Sequence, residues 1–441
     1  MTVRKIQLVT LGCSKNRVDS EHLLKQIFDS GIVISTEGED LVSAKVDAVV
    51  INTCGFIKDA KKESIEAILS AVDAKERGYI KEVHVFGCLS QRYLLELEDS
   101  IPEVDGFYGA FDAKSVLKAL GKEWCQKLET QRFLTTPSHY AYLKISEGCD
   151  RICSYCSIPL IRGSHTSVPE EKLLEEASNL ASMGVKELIL VAQDTTYYGL
   201  DLYKKRRLAQ LMEKLSIIKG IEWIRLLYSY PAGFPDDVLD VMASNDKICK
   251  YLDIPLQHVN DRVLANMRRS IDGAGTRELV DKFRKRVPGI SLRSTMIVGH
   301  PGEDKRAFRE LMSFVEEAKF ERLGAFTYSE EEGTWGATNL KDTIRNREKQ
   351  ERYEMLMELQ SGISLNHNLA RVGSVEKVLI DSQDETVYVG RSRKESPEVD
   401  GEILIGKSEL PKGFLTKDII GTFVEAKIES AGEYDLTARI F

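Results

Sequence analysis

The chain has 441 residues, with 61 basic and 69 acidic side chains and a net charge of −8; a single hydrophobic core rarely exceeds about 250–300 residues, so two or three domains are expected. A composition of 42% hydrophobic and 29% charged residues excludes a disordered or fibrous chain, and with no run near ~18 apolar residues and no leader-like N-terminus, a cytoplasmic protein without a membrane partner is expected. In a reducing compartment the eight cysteines are candidate ligands rather than disulfides, and the acidic balance suits a basic partner better than nucleic acid.

From Arg4 to about Leu134 short apolar runs alternate with helical patterns: KIQLVTLGC, an amphipathic stretch from Val18 to Asp29, VDAVVINTCG, a helix to about Lys75, and EVHVFGC. This rhythm predicts an α/β domain, residues 1–135, built on an open parallel sheet with crossover helices. LTTPSH, Leu134 to His139, reads as a linker. Six strand-helix units follow in residues 136–370: YLKISEGC, VKELILVAQD, WIRLLYSYP, YLDIPLQ, SLRSTMIVG and ERLGAFTYS. They predict a partial (βα)6 barrel, since a closed eightfold barrel needs two more units. A long charged helix from about Asp342 to Leu369 closes this region. Residues 371–441 lose the helical period and alternate, with turn signals at Asp400-Gly401 and Pro411-Lys412-Gly413. A small antiparallel β-barrel is expected there. It carries 10 basic and 14 acidic side chains, without the basic surplus of an RNA-binding barrel.

Cys149, Cys153 and Cys156, in SEGCDRICSYCSIP, are the most specific chemical signal. Zinc sites usually pair their cysteines as CxxC and require a fourth ligand, whereas three thiolates just after a strand can wrap a four-iron cluster and leave one iron open. Cys13, Cys54 and Cys88 form a second set, each at the C-terminal end of a predicted strand. Such ends line up along one edge of a parallel sheet, so the three converge; the adjacent Gly12, Gly55 and Gly87 are expected to let an inorganic group approach the backbone. Cys125 and Cys249 fit neither set and read as packing or surface residues.

The CxxxCxxC, with Tyr155 before its last cysteine, resembles the signature of radical S-adenosylmethionine enzymes. The three strand-end cysteines ahead of it and the small barrel behind it resemble the methylthiotransferase family, whose order is an N-terminal methylthiotransferase domain, a radical domain and a TRAM domain. LGCSKNRVDSE, INTCGFIKDAKKESI, SYPAGFPDD, DIPLQHVNDRVLANMRR and SPEVDG are similar to the bacterial branch that modifies an aspartate of small-subunit ribosomal protein twelve. The resemblance implies two 4Fe-4S clusters: a radical cluster on Cys149, Cys153 and Cys156, whose open iron chelates S-adenosylmethionine, and an auxiliary cluster on Cys13, Cys54 and Cys88, which carries the donated sulfur. One S-adenosylmethionine supplies the methyl group; a second supplies the radical that removes a hydrogen from the substrate β-carbon. The implied partners are the basic ribosomal protein, free or on the ribosome, and a reducing electron donor. The alternatives are a tRNA adenosine as substrate, or a non-catalytic iron-sulfur or RNA-binding protein.

Barrel chemistry belongs at the C-terminal strand ends, which nominates Gln193, Asp194, Tyr228, Ser229, Gln257, His258 and the stretch Ile297, Val298, Gly299. Among these, with Tyr155, the cofactor-binding set is expected to be Gln193, Asp194, Gln257, Ile297, Val298 and Gly299. AQDT stands where the wider superfamily commonly has Gly-Gly-Glu for the cofactor's amino group. His258 and His300 are candidate acid-base groups, although a loop histidine is more often a hydrogen-bonding residue. GHPGEDK lacks phosphate-loop spacing, and Lys204 to Arg207 read as solvated surface.

Overall fold

The apolar runs KIQLVT, AVVINT and EVHVFG are adjacent central strands of one parallel sheet. A computed structural model describes residues 4–35, 38–411 and 418–441. Its first sheet contains β1 (Lys5–Thr10), β2 (Val33–Ile34), β3 (Ala48–Thr53), β4 (Glu82–Gly87) and β5 (Gly106–Phe107), in the order β2-β1-β3-β4-β5. All pairs are parallel, and Thr10 lies opposite Asn52 while Thr53 lies opposite Gly87. The C-terminal ends of β1, β3 and β4 are therefore level. The helix Ser14–Asp29 starts one turn before the amphipathic pattern, and Cys13 is its N-cap residue. Its inner face buries Val18, Leu23, Leu24 and Ile27.

The second sheet takes β6 (Tyr140–Lys144), β9 (Glu187–Val191), β10 (Trp223–Leu226), β11 (Ile248–Asp253), β12 (Ser291–Val298) and β13 (Arg322–Thr327), while β7 (Ser146–Glu147) and β8 (Thr166–Ser167) form a small separate ribbon. Its strands are parallel in the order β13-β12-β11-β10-β9-β6, the incomplete barrel expected. The outer face packs on the crossover helices through residues such as Leu188, Leu190, Leu226 and Leu292. The expected linker has no helix or strand, but it is pinned: Thr135 donates from both its backbone N–H and its hydroxyl to Glu21, at 2.8 and 2.9 Å.

The terminal barrel corrects one expectation. Strands β14 (Val375–Gln383), β15 (Val387–Arg391), β16 (Ile403–Gly406), β17 (Phe423–Ala431) and β18 (Leu436–Ile440) close in the order β14-β15-β16-β18-β17, with β16 and β18 parallel. A ring with an odd number of strands cannot alternate direction throughout, so a purely antiparallel barrel of five is topologically impossible. Of the expected turns, Lys412-Gly413 lies outside the described residues.

This small barrel forms a floor under the larger one. Leu379 and Phe423 join Tyr140, Tyr142, Ile189, Trp223 and Tyr251 in one buried cluster, and the Trp223 and Phe423 rings meet edge-on with centroids 4.7 Å apart. Glu187, fully buried, accepts from Arg225 and from Arg391 of β15, at 2.7 and 2.8 Å. The SPEVDG segment reaches the same interior, where Tyr251 donates to Asp400 at 2.6 Å and Tyr142 to Glu398 at 3.0 Å. Cys249 is buried in this floor and Cys125 is exposed.

On the other side, Arg132 bridges the first domain to the second. It donates to Glu21 of the helix Ser14–Asp29 at 3.0 Å and to Glu176 of the helix Glu170–Ser182 at 2.7 Å. Burial alone would raise the Glu176 carboxyl, yet His22 and Arg132 hold it at about 2, below its ordinary 4.5. A carboxylate with a depressed folded-state pKa contributes stability above its unfolded pKa and loses it as pH falls toward the folded value. This contact should therefore weaken between about pH 4.5 and 2. Acid unfolding followed by circular dichroism should show that slope, and Glu176→Gln should flatten it.

Candidate functional site

Both cysteine trios sit at the C-terminal ends of their sheets, where parallel strands leave open backbone and helix N-termini. Cys54 and Cys88 directly follow β3 and β4, and Cys13 follows β1 by three residues. The buried Asn16 side chain fastens these ends, its amide donating to Leu11 O at 2.9 Å and Thr53 O at 3.1 Å, while Asn52 donates to Asn16 O at 2.9 Å. The neighbouring glycines allow close packing at these ends. A Cβ on Gly12 would lie 2.7 Å from Cys54 Cβ, one on Gly55 2.7 Å from Leu89 N, and one on Gly87 2.5 Å from Asn52 Oδ1. They let the cysteine-bearing loops close on one another.

The second trio lies on the loop between β7 and the helix Ile158–Arg162. Cys149 N–H donates to Gly163 O at 3.0 Å, Ser154 N–H to Met267 O at 3.0 Å, and Gly336 N–H to Ser154 O at 2.7 Å, which pins the loop to the strand-end segments after β11 and β13. Gly148 makes the turn possible: its φ is +72°, and a Cβ there would lie 2.1 Å from Ser164 O.

All six cysteines are free thiols. Burial pushes Cys54 up to about 11, Cys149 to about 11 and Cys156 to about 12, and raises Cys88 against the pull of Arg162. At Cys13 burial also acts upward, but Lys15, the Asn16 N–H and Arg162 together bring the thiol below its ordinary value. Within each trio the thiols act electrostatically on one another: Cys54 on Cys13 and Cys88, Cys156 on Cys153 and Cys149. Among the described residues no three His, Cys, Asp or Glu side chains close on a single-ion position. Each trio instead offers three sulfurs and one buried arginine: Arg162 donates to Cys88 Sγ at 3.2 Å and Arg269 to Cys153 Sγ at 3.4 Å. This donor set fits an iron-sulfur cluster, in which N–H···S bonds offset thiolate charge.

The other expected site residues divide. Gln193 donates to Glu147 at 2.5 Å and leaves its Oε1 buried and unpartnered, as does Gln257, which holds a left-handed φ of +74°. Such atoms near the CxxxCxxC loop fit a polar cofactor. Asp194 has its oxygens engaged, by Arg151 at 2.8 Å and by the Thr196 N–H and hydroxyl at 2.9 and 2.7 Å, so it orients Arg151. The Arg151 guanidinium is sandwiched between the Tyr197 and Tyr230 rings at 4.2 and 3.9 Å, with Nη2 unpartnered. Ile297 packs beside Tyr155, whereas Val298 is buried in the core between sheet and helices. Gly299 N–H donates to Glu303 at 2.8 Å. Tyr228, at φ +58°, lies under the Lys15 ammonium, 3.4 Å from the ring centroid, and the Ser229 hydroxyl is 3.2 Å from that of Thr195. His258 Nδ1 accepts from the Asn260 N–H at 2.9 Å while its Nε2 is buried without a hydrogen-bond partner among the described residues, and His300, pushed down to about 4 by burial, bonds Pro301 O and the Ser154 hydroxyl.

Residues 143–315 match the Radical SAM superfamily, residues 5–109 the Uncharacterized protein family UPF0004, and residues 372–441 the TRAM domain. The ribosomal protein uS12 methylthiotransferase RimO of Cytophaga hutchinsonii is 50% identical over 437 residues, 99% of this chain and 98% of the relative. That of Bacteroides thetaiotaomicron is 49% identical over 442 residues, 100% and 99% of the two chains. The chain belongs to the RimO family. Solved structures share the fold of this RimO-family chain at low identity. The radical S-adenosylmethionine methyltransferase TsrM from Kitasatospora setae superposes with a TM-score of 0.54 at 13% identity, over 73% of this chain and 72% of TsrM. The radical enzyme OxsB gives 0.52 at 13%, over 82% and 56%.

In this RimO-family chain the strand-end pattern marks the cysteines but not their polar supports. Asn16, Arg162, Glu147 and Arg269 are distant in sequence from the sulfurs they serve or carry no motif of their own. Gly148→Ala should cost about 1–2 kcal/mol in backbone strain and add the clash with Ser164 O, with loss of about half the bound iron on reconstitution. Gly163→Ala provides the comparison, since its backbone (φ +68°, ψ −161°) lies where only glycine is commonly found, so alanine there is strained, while a Cβ meets nothing within 4 Å. Equal iron loss in both would show that strain alone, not the Gly148 contact, disrupts the loop.

Proposed function

We propose that the chain transfers a methylthio group to the β-carbon of an aspartate in ribosomal protein uS12, with Cys149, Cys153 and Cys156 holding the radical cluster and Cys13, Cys54 and Cys88 the auxiliary cluster. The observation that carries this reading is the presence of two separate trios of free thiols, partly to fully buried, at the open ends of two sheets that Arg162 joins. When bound, the clusters and S-adenosylmethionine supply the sulfur, the methyl group and the hydrogen-abstracting radical. The protein's own groups orient these components and exclude water.

In this reading the Gln193 and Gln257 carbonyl oxygens accept from the cofactor's amino and hydroxyl groups, while Arg151 and Arg269 face its carboxylate. Asp194 acts through Arg151. Tyr155 and Ile297 pack against the cofactor, and the Gly299 backbone, aligned by Glu303, lines the site; Val298 contributes backbone alone. Glu147 links the halves, accepting from Gln193 at 2.5 Å, from Lys144 at 2.7 Å and from Arg162 at 3.0 Å. Burial would raise its carboxyl, but Lys144 and Arg162 hold it at about 2, so it stays ionised.

The rim supports a basic protein substrate. Exposed Phe111, Ile152, Leu160 and Trp335 flank the loops that carry the cysteines, and Glu330 and Glu332 stand exposed beside Trp335. Glu331 is buried between Lys61 and Arg92 at 2.8 and 3.2 Å, which fastens this acidic loop to the first domain. No helix among the described residues is long and apolar enough to cross a membrane, and we place the reaction in the cytoplasm, with uS12 met free or on the ribosome and with a reducing electron donor.

Replacing Cys149, Cys153 and Cys156 by alanine should halve bound iron and abolish 5′-deoxyadenosine formation. Replacing Cys13, Cys54 and Cys88 should also halve iron but leave cofactor cleavage. Anaerobic incubation of each form with uS12 and with tRNA, followed by mass spectrometry, tests the substrate: a methylthio adduct on a uS12 aspartate is expected, and modified tRNA with untouched uS12 would overturn it.

A further inference from the structure

Arg162 belongs to the barrel, six residues beyond Cys156, yet its guanidinium lies in the first domain's site. Its side chain is 2% exposed. Nε donates to Cys88 Sγ at 3.2 Å, Nη2 to Asn16 Oδ1 at 2.6 Å, and Nη1 to Asp19 and Glu147, each at 3.0 Å. The helix that begins at Cys88 packs against the helix that ends at Arg162. Among the described residues the Cys88 sulfur has one other polar contact, its thiol proton to Asn16 Oδ1 at 3.7 Å. That contact disappears once the sulfur is a ligand, because a thiolate has no proton to donate. The arginine bond survives and strengthens, since its acceptor becomes anionic.

We infer that Arg162 is a positioning residue for the auxiliary cluster, donating across the domain boundary to the Cys88 sulfur and thereby raising that cluster's reduction potential. This inference rests on the reading that Cys13, Cys54 and Cys88 hold a cluster. Two physical effects point the same way: an N–H···S bond withdraws charge from the sulfur, and a buried cation favours the more negative, reduced state. Asp19 and Glu147 on Nη1 limit the second effect and fix the direction of the first, because they hold the planar fork so that Nε points at sulfur. Lys144, which bonds both carboxylates, keeps them neutralised from the opposite side. Lysine in place of Arg162 could keep the charge but has no fixed fork with which to serve all four acceptors.

The test uses the full chain with Cys149, Cys153 and Cys156 replaced by alanine, so that the auxiliary cluster is alone. Absence of iron from this parent would refute the ligand reading itself, separately from the role of Arg162. With iron bound, a redox titration followed by electron paramagnetic resonance compares the parent with Arg162→Met and Arg162→Lys. The inference expects the reduced-to-oxidised ratio at a fixed potential to fall about tenfold in Arg162→Met, about 59 mV for a one-electron couple, and by less in Arg162→Lys. Unchanged potentials in variants that keep their iron would overturn it. Loss of auxiliary iron from both variants, with native circular dichroism, would also overturn it by making Arg162 a strut for assembly.

Discussion

The geometry at the open end of the molecule depends on the hydrogen bonds of one buried asparagine. Asn16 has two amide donors and a carbonyl acceptor, and all are engaged: the donors by the loops after β1 and β3, the acceptor by Arg162. Two strand-end segments, each leading to a cysteine, and an arginine side chain of another domain's helix, all distant in sequence, are thereby held to one point. A buried network of this kind is rigid only when complete, because each orphaned group costs about 1–3 kcal/mol. The close approach permitted by Gly12, Gly55 and Gly87 is the steric counterpart of the same constraint. The hydrogen bonds and the close glycine contacts together fix where the cysteine-bearing loops run.

Much of this was legible in the sequence, for identifiable reasons. Parallel strands buried on both faces appear as apolar runs, so the cysteines that end them could be placed on one edge without coordinates. The six barrel units declared themselves by the same alternation of run and helix, and the break at LTTPSH by its composition. What could not be read were partnerships made across long separations. Arg162 looks like a terminal helix residue, and only the packing of its helix on the one starting at Cys88 turns it toward sulfur. Asp194 stands at a strand end, where cofactor ligands are expected, but the cap it forms on Thr196 and its bond to Arg151 engage its carboxylate. Alternation in the terminal segment predicted a barrel correctly and strand directions incompletely, because direction around a ring follows from strand number, which local pattern does not encode.

The two halves of the site are built alike despite their different folds. In each, a trio of thiols rests at the open end of a parallel sheet, a glycine clears the path of a loop, and a buried arginine donates to one sulfur. The arginines differ in their surroundings. Arg269 is stacked on Tyr230 and also bonds Tyr155 and Pro255 O, so its partners are largely neutral. Arg162 is held by two carboxylates. The same chemical element is thus presented in an aromatic setting at one trio and an ionic setting at the other.

The floor formed by the terminal barrel has a consequence for traffic. With Leu379 and Phe423 packed beneath Tyr140, Tyr251 and Trp223, and Glu187 locked between two arginines, the larger barrel is blind at its N-terminal end. The end left open is the one at the C-terminal strand ends, where the barrel's cysteines lie and where Arg162 reaches the cysteines of the first domain. Filling one end of the barrel thus leaves both trios to a single side of the molecule.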